Sequence, residues 1–254
     1  MTSRAASLLA WALWALGLAG LVAGFVLSVA NGSRLDRSEL SQATAFLAIG
    51  TTGLVVARRR PQNPLGWIYL GVWAGTGVLF SLFSEYARWA TVTHPGAPFG
   101  TFAVWLGNWI WVLIATPLVT FTFLLFPDGH LPTPRWRPVA LSVAVFTVLW
   151  SVVVALEGHD FTDALGHPAP NPYTPSGVVA FFDAARLVFG VAFVAVIGAC
   201  VASLVVRFRR GSREEREQIK WLMFAGVVMT VWFALPFEHG GAARSMPSRA
   251  SCSL

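Results

Sequence analysis

The amino-acid sequence predicts an all-α fold, a polytopic transmembrane helical bundle of about seven spans. Hydrophobic residues make up 56% of the 254 residues and charged residues only 12%, and the mean hydropathy is +0.63. The apolar residues form runs of about 17 residues or more, which as helices cross roughly 30 Å of hydrocarbon. The charges are concentrated in the short connections between these runs. We therefore expect a membrane protein with no room for a large soluble domain.

The stretch RFRRGSREEREQIKWL, residues 207–222, predicts the orientation because it holds six Lys/Arg and three Glu. Each such charge costs roughly 2.5–3.5 kcal/mol at mid-bilayer, so the stretch must lie in water or headgroups. Cytoplasmic connections hold the excess of Lys/Arg. With this stretch and the N-terminus inside, inner segments carry twelve basic and four acidic residues, and outer segments six and eight. We expect a multi-pass plasma-membrane protein with a cytoplasmic N-terminus.

The predicted spans cover residues 6–30, 40–57, 65–83, 101–126, 139–156, 178–206 and 221–237. The first is too long for the apolar region of a signal peptide, so we expect it to be retained. The second ends before the basic cluster Arg58–Arg60. The third begins where Asn63 suits an N-cap and Pro64 suits the first helical position. Residues 84–100 then form the predicted second outer loop.

The later spans are justified in the same way. Pro117 predicts a kink in the fourth span. A turn at Pro127-Asp128-Gly129 precedes the fifth span, and an acidic outer loop without Lys or Arg precedes the sixth. Ser212 and Glu215 have the spacing of a capping box, which predicts a helix running from Ser212 through the seventh span as one rod. Residues 238–254 lack any helical period and are predicted to be a disordered tail.

Few polar groups lie within or at the mouths of the predicted spans. Asn108 suggests an interhelical hydrogen bond, or else part of a small apolar cleft, and we favour the hydrogen bond. Asp183 and Arg186, three residues apart, suggest an ion pair, with a ligand contact as the alternative. The spacing of Gly20–Gly24 and Gly71–Gly75 permits close helix contacts, including those of a homodimer, without proving one.

The outer loop before the sixth span holds weak metal-ligand candidates, His159, Asp160, Asp163 and His167. Imidazole and carboxylate groups suit Zn or Ni. However, the surrounding Pro and Gly predict a solvated loop without the supporting hydrogen bonds of a metal site. All five His fall in predicted loops, which argues against intramembrane haem, and the single Lys, Lys220, lies outside the spans, which argues against a retinal Schiff base. We expect no metal and no other cofactor.

The predicted cytoplasmic segments show no nucleophile paired with a base, no paired inward carboxylates and no phosphate-binding glycine loop. We therefore expect no enzyme activity. The basic residues alternate with apolar spans, so anionic lipid explains them better than nucleic acid does. The expected partner is the lipid bilayer, and a nucleic-acid role is rejected.

Three segments at predicted cytoplasmic turns carry a family resemblance: RRRPQNPLGW at 58–67, LFPDGHLPTPRWRP at 125–138 and REEREQIKWL at 213–222. As a set they resemble the membrane region of actinobacterial sensor histidine kinases, which have similar strings at corresponding turns. His130 departs from the pattern, since the family usually has Arg there. The positions that carry the resemblance are Asn63, Pro64, Gly66, Trp67, Pro127, Asp128, Gly129, Arg135, Arg137, Arg216, Gln218, Lys220 and Trp221.

The resemblance implies a multi-helix sensor module whose last span leads to a cytoplasmic dimerisation and ATP-binding part, which phosphorylates a response regulator. The phospho-accepting His and the ATP-binding boxes of that part do not occur in this sequence, so we expect no kinase activity from it. Residues 238–254 read like translation out of frame, which suggests a truncated remnant. A free-standing scaffold for a separate cytoplasmic kinase is another hypothesis. The alternative from a different class is a small transporter or channel subunit, which predicts inverted repeats and broken helices.

Overall fold

The structure, a computed structural model, describes residues 3–33, 37–157, 171–175, 177 and 179–234. Over these residues the chain is helical, with no strand. The helices of the described part are α1 (Ser3–Ala30), α2 (Arg37–Arg59), α3 (Pro64–Thr93), α4 (Gly100–Leu125), α5 (Arg137–Leu156), α6 (Val179–Arg210) and α7 (Arg213–Ala234). The predicted all-α fold class is confirmed.

Helices α1 to α6 are each long and apolar enough to cross a membrane, which indicates a membrane protein. Helix α7 is different because its first two turns are charged, over the sequence REEREQIK. The seventh predicted span, 221–237, also extends past the last described residue of α7. A count of seven crossings therefore stays a prediction.

The second outer loop was predicted to begin after residue 83, and this boundary is wrong. Helix α3 continues to Thr93 and includes two π-helical segments, Thr76–Leu82 and Trp89–Thr93. Residues 84–93 contain neither Pro nor Gly, so nothing in their backbone chemistry stops the helix. Their polar side chains find partners beyond the end of α1: Asn31 Nδ2 donates to Glu85 Oε2 at 3.0 Å, and Arg88 Nη1 donates to Ser33 Oγ at 2.7 Å.

Helices α3 and α4 occupy the centre of the bundle formed by α1 to α6. Helix α3 packs against α1 and α2 and also against α4, whereas α4 packs against α5 and α6. A cluster of buried side chains from α3, α4, α5 and α6 joins the two groups, and its members are Leu65, Leu124, Leu125, Val143 and Cys200. Helices α3 and α4 therefore connect the group α1–α2 to the group α5–α6, and we expect a movement of one group relative to the other to involve them.

Close backbone approach between α1 and α3 depends on glycine. A Cβ placed on Gly20 would lie 2.6 Å from the carbonyl carbon of Gly77, which belongs to the first π-helical segment. The Trp73 ring, which has no exposed surface, lies against Gly17 of α1 and Gly50 of α2, and its Nε1 donates to the Trp14 carbonyl at 2.8 Å. The Gly20–Gly24 spacing thus serves packing within the chain, whereas a Cβ on Gly71 would meet nothing within 4 Å.

Contacts define two ends of this bundle. At the first end, Arg58 in the last turn of α2 donates from Nε to Ser7 Oγ at 3.2 Å, and Asp128 after α4 pairs with Arg207 near the end of α6. We call it the basic end because the Arg clusters adjoin it. At the opposite end, Trp105 Nε1 donates to the Ala155 carbonyl at 2.7 Å, joining the start of α4 to the end of α5. The α2–α3 and α4–α5 connections, both predicted to be cytoplasmic, thus lie at the same end as Arg207 of α6.

The described residues from Gly211 to Ala234 form a unit separate from the described residues that precede them. The predicted capping box is present in this unit: the Ser212 amide donates to Glu215 Oε2 at 2.7 Å, and the Glu215 amide donates to Ser212 Oγ at 3.2 Å. Helix α7 runs without interruption from Arg213 to Ala234. The predicted rod is confirmed as far as Ala234, and the predicted disordered tail lies outside the described residues.

Candidate functional site

The turn between α2 and α3 is closed by its own hydrogen bonds. Asn63 is the N-cap of α3, and its Oδ1 accepts a hydrogen bond from the Leu65 amide at 3.0 Å. Pro64 occupies the first helical position, where a missing N–H costs nothing. Trp67 Nε1 donates to the Pro61 carbonyl at 2.9 Å. The predicted N-cap is confirmed, and the Asn63 side chain is only 7% exposed.

The turn after α4 is built around Gly129. Its amide donates to the Leu125 carbonyl at 2.8 Å, and its φ of +82° lies in the left-handed region that favours glycine. Asp128 stabilises the same turn, because its Oδ1 accepts from the His130 amide at 3.1 Å. The peptide bond from Phe126 to Pro127 is cis. The predicted tight turn is therefore present.

The two turns touch each other. A Cβ on Gly129 would lie 2.6 Å from Cγ of Asn63, so no larger residue fits there without moving the N-cap. Gly66 makes a similar approach, since a Cβ on it would lie 2.6 Å from the Ala57 amide nitrogen. Glycine is thus required at position 129 for two reasons, its backbone conformation and this contact.

Arg207 adds a third connection to the pair of turns. Its Nη1 lies 2.9 Å from Asp128 Oδ1, and its side chain is only 10% exposed whereas that of Asp128 is 45% exposed. Its Nε and Nη2 are buried and have no hydrogen-bond partner within the described part of the chain. A buried guanidinium with unused donors depends strongly on the one carboxylate it does meet. We call Asn63, Asp128, Gly129 and Arg207 the basic-end junction.

The basic-end junction contains residues from two of the three segments that resemble sensor histidine kinases, 58–67 and 125–138. Arg135 lies in the 3₁₀ turn Pro134–Trp136, and Arg137 is the first residue of α5; both are exposed. Lys220 belongs to α7, in the separate unit, where its Nζ lies 2.8 Å from Glu217 Oε1 as their spacing predicts. The other matching residues of the third segment, Arg216, Gln218 and Trp221, are exposed on α7.

Sequence reasoning gave Arg207 no role of its own and treated it as one charge of the basic stretch. A signal was nevertheless present. Cys200 and Ser203, seven and four residues before it on α6, have no exposed surface, and such spacings put residues on one helix face. An arginine that continues an otherwise small and apolar face is expected to be partly buried and paired.

The other candidate residues have mixed outcomes. His159, Asp160, Asp163 and His167 lie outside the described residues, and among those described no three His, Cys, Asp or Glu form a metal-binding group. The Asp183 side chain is also outside the described set, so its pairing with Arg186 stays a prediction. Arg186 Nη1 lies 3.8 Å from Oε2 of the buried Glu157.

Among the described residues, the side chain of Asn108 forms no interhelical hydrogen bond, in contrast to the prediction that was favoured. Its backbone carbonyl accepts from Trp111 Nε1 at 2.9 Å, on the same helix. Within the described part of the chain its amide reaches no other helix. The neighbouring residues Trp105 and Trp109 pack against each other on the same helix, with ring centroids 5.4 Å apart.

The opposite end contains a second concentration of polar and aromatic contacts. Asn171, which is buried, donates from Nδ2 to the carbonyls of Ala155 at 3.0 Å and Glu157 at 3.1 Å. The rings of Tyr173 and Trp105 have centroids 4.7 Å apart. These contacts attach the segment 171–175 to α4 and α5. Two cavities of about 450 and 440 Å³ open nearby, next to Phe99 and Phe102.

No protein family matches the chain, and no curated protein or solved structure is significantly similar to it. The resemblance to sensor histidine kinases is thus carried by its three short segments alone and stays a prediction.

Proposed function

We propose that this protein is an integral membrane signal-transduction module, similar in role to the input region of a two-component histidine kinase and without catalytic activity of its own. One observation supports it most directly. Two of the three segments that resemble sensor histidine kinases meet at the Asn63–Gly129 contact. Arg207 attaches the end of α6 to the same place. Segments far apart in the sequence are thus coupled at one end of the bundle, as the output side of a sensor requires.

The central helices connect this junction to the opposite end. Helix α3 extends from the Asn63 cap to the contacts of Glu85 and Arg88, and α4 extends from the cavities to the turn at Asp128. Sliding of one packed helix past another by an ångström or two is a common form of signal transmission. Such a shift of α4 relative to α3 would change the Asn63–Gly129 contact and the Asp128–Arg207 pair together.

The proposed placement is the plasma membrane, with the N-terminus and the basic end in the cytoplasm, where anionic lipid favours Arg clusters. The proposed partner is a cytoplasmic histidine kinase or response regulator, and a homodimer is compatible with the fold. Because two turns and the end of α6 meet at the basic-end junction, we expect a partner to respond to its rearrangement.

The test is purification of the tagged full chain from native membranes, followed by incubation with labelled ATP. We expect a co-purifying protein to gain acid-labile phosphate, as phosphohistidine does. Asp128→Asn should change that labelling at least about fivefold, the lower range of typical allosteric coupling. Arg210→Gln is the matched control because Arg210 is exposed at the end of α6, the helix that carries Arg207, the partner of Asp128. Absence of acid-labile labelling with every variant would refute the proposal.

A transporter or channel subunit is the second candidate, favoured by one observation. The π-helical segments Thr76–Leu82 and Trp89–Thr93 make α3 irregular within the bundle, and both transporters and functional sites use irregular helices. Reconstitution into proteoliposomes separates the two candidates. Saturable flux of a solute or ion that requires the protein would favour transport, whereas intact vesicles without flux would favour the signalling module.

A further inference from the structure

Two cavities adjoin at the opposite end of the bundle. One, of about 440 Å³, is lined by Leu82, Phe83, Tyr86, Phe99 and Phe102. The other, of about 450 Å³, shares Phe99 and Phe102 and extends past Thr91 and Thr101 to Tyr173. Because they share two rings, we treat them as one site, the opposite-end cleft. Each volume lies within the range of pockets that bind small molecules, roughly 300–1,000 Å³.

The walls of the cleft define which molecules suit it. The first cavity is lined by four aromatic rings and one leucine. The second adds Thr101 and Thr91, whose hydroxyl already donates to the Ala87 carbonyl and can accept a further hydrogen bond. No charged side chain lines either cavity among the described residues. A charged ligand would lose water here without gaining a partner, whereas an aromatic ring finds several rings to pack against.

Phe99 is an independent indication of a binding role. It is a non-glycine residue with φ of +60°, and its side chain is 76% exposed although it lines both cavities. The Tyr86 hydroxyl donates to the Pro98 carbonyl at 2.5 Å, which holds the connection from α3 to α4 in place. A left-handed backbone is unfavourable for a residue with a side chain, and such strained positions concentrate at ligand-binding sites.

We propose that the opposite-end cleft binds a small, uncharged aromatic molecule that carries one hydrogen-bonding group. The ring system packs among Phe83, Phe99 and Phe102, and the polar group faces the threonine side of the cleft. This inference rests on the proposed function in naming the stimulus class of the sensor. Binding itself is measured below without any signalling readout.

The probe is benzophenone, an uncharged aromatic ketone that forms covalent bonds to nearby C–H groups on illumination. The full chain in lipid nanodiscs is titrated with it, illuminated and mapped by mass spectrometry. We expect saturable labelling of residues 82–102. Phe99→Gly should raise the half-saturating concentration at least about fivefold, since one wall ring is lost, while glycine still adopts the left-handed backbone. Val92→Ala, at an exposed residue outside the cleft, should leave it unchanged.

Competition distinguishes an aromatic ligand from a lipid tail. Excess 2-naphthol should displace benzophenone more effectively than excess 1-decanol. Stronger displacement by decanol, or non-saturable labelling that Phe99→Gly does not alter, would overturn the inference. Saturable labelling together with a failed phosphorylation test would keep the cleft and refute the signalling role. The reverse combination would keep the signalling role and refute the cleft.

Discussion

At the scale of single residues, the basic-end junction depends on side chains whose neighbours come from distant parts of the chain. The N-cap role of Asn63 was predictable, because a capping residue followed by Pro is a local pattern. The turn at Gly129 was predictable for the same reason. The contact between Asn63 and Gly129 was not predictable, since the two turns are separated in the sequence by α3 and α4. The burial of Arg207 likewise depends on how α6 packs.

The first prediction concerns Gly129. Gly129→Ala adds a Cβ in a left-handed conformation and against the Asn63 side chain. Gly32→Ala is the matched control, because Gly32 has φ of +73° but nothing within 4 Å of its Cβ position. Both variants carry the backbone penalty. We expect Gly129→Ala to lower the free energy of unfolding by at least about 1 kcal/mol more, from the clash and the disturbed cap.

Denaturant-induced unfolding in detergent micelles, followed by circular dichroism, measures this difference. Equal losses of stability in the two variants would show that Gly129 is needed for its backbone conformation alone and that the two turns do not press on each other.

At the scale of elements, the approximate positions of most helices follow from the sequence, and helix pairing follows from where small residues allow close approach. Within a bilayer, packing rather than hydrophobicity distinguishes one helix contact from another. The Gly20–Gly24 spacing predicted a close helix–helix contact but not which helix takes part in it. The structure identifies that partner as the π-helical segment around Gly77 of α3.

The second prediction tests this contact. Gly20→Ala places a Cβ 2.6 Å from the Gly77 backbone, which cannot move aside as a flexible side chain would. We expect a lower melting temperature and a loss of about 1–3 kcal/mol, typical of overpacking. In contrast, Gly198→Ala meets nothing within 4 Å on α6 and should be neutral or slightly stabilising, because alanine favours helix. A stable Gly20→Ala variant would contradict the close contact of α1 and α3.

The third prediction concerns the start of α7. In a peptide of residues 209–226, Ser212→Ala removes one hydrogen bond of the capping box and should cost about 1 kcal/mol of helix stability. Circular dichroism should show reduced helicity. Gln218→Ala, in the exposed helix interior, should preserve or raise it. Unchanged helicity in the Ser212→Ala peptide would mean that the helix does not begin at this box.

At the scale of the whole bundle, the contacts place the α2–α3 turn, the α4–α5 turn and Arg207 of α6 at one end. The distribution of Arg and Lys predicts which side of the membrane that end occupies. The predicted orientation matters for the proposed function because it would place the opposite-end cleft outside and the basic-end junction inside the cell. A sensor needs that order, since its stimulus and its partner are on different sides.

The fourth prediction tests the orientation in intact cells. Single cysteines at Ser33 and Ser212, in a chain with Cys200 and Cys252 replaced by serine, are exposed to a membrane-impermeant maleimide. We expect rapid labelling at position 33, and labelling at position 212 only after permeabilisation, because the positive-inside rule places the Arg-rich stretch in the cytoplasm. Labelling of position 212 in intact cells would reverse the orientation and with it the proposed function.

The sequence by itself determined the all-helical membrane class, the cap at Asn63, the turn at Gly129 and the capping box at Ser212, because each depends on hydropathy or on backbone chemistry within a few residues. The tertiary structure alone decided the continuation of α3 to Thr93, the partner of Gly20, the burial of Arg207 and the cleft around Phe99. Each of these depends on which surfaces of distant helices meet, and that is a property of packing rather than of any local pattern.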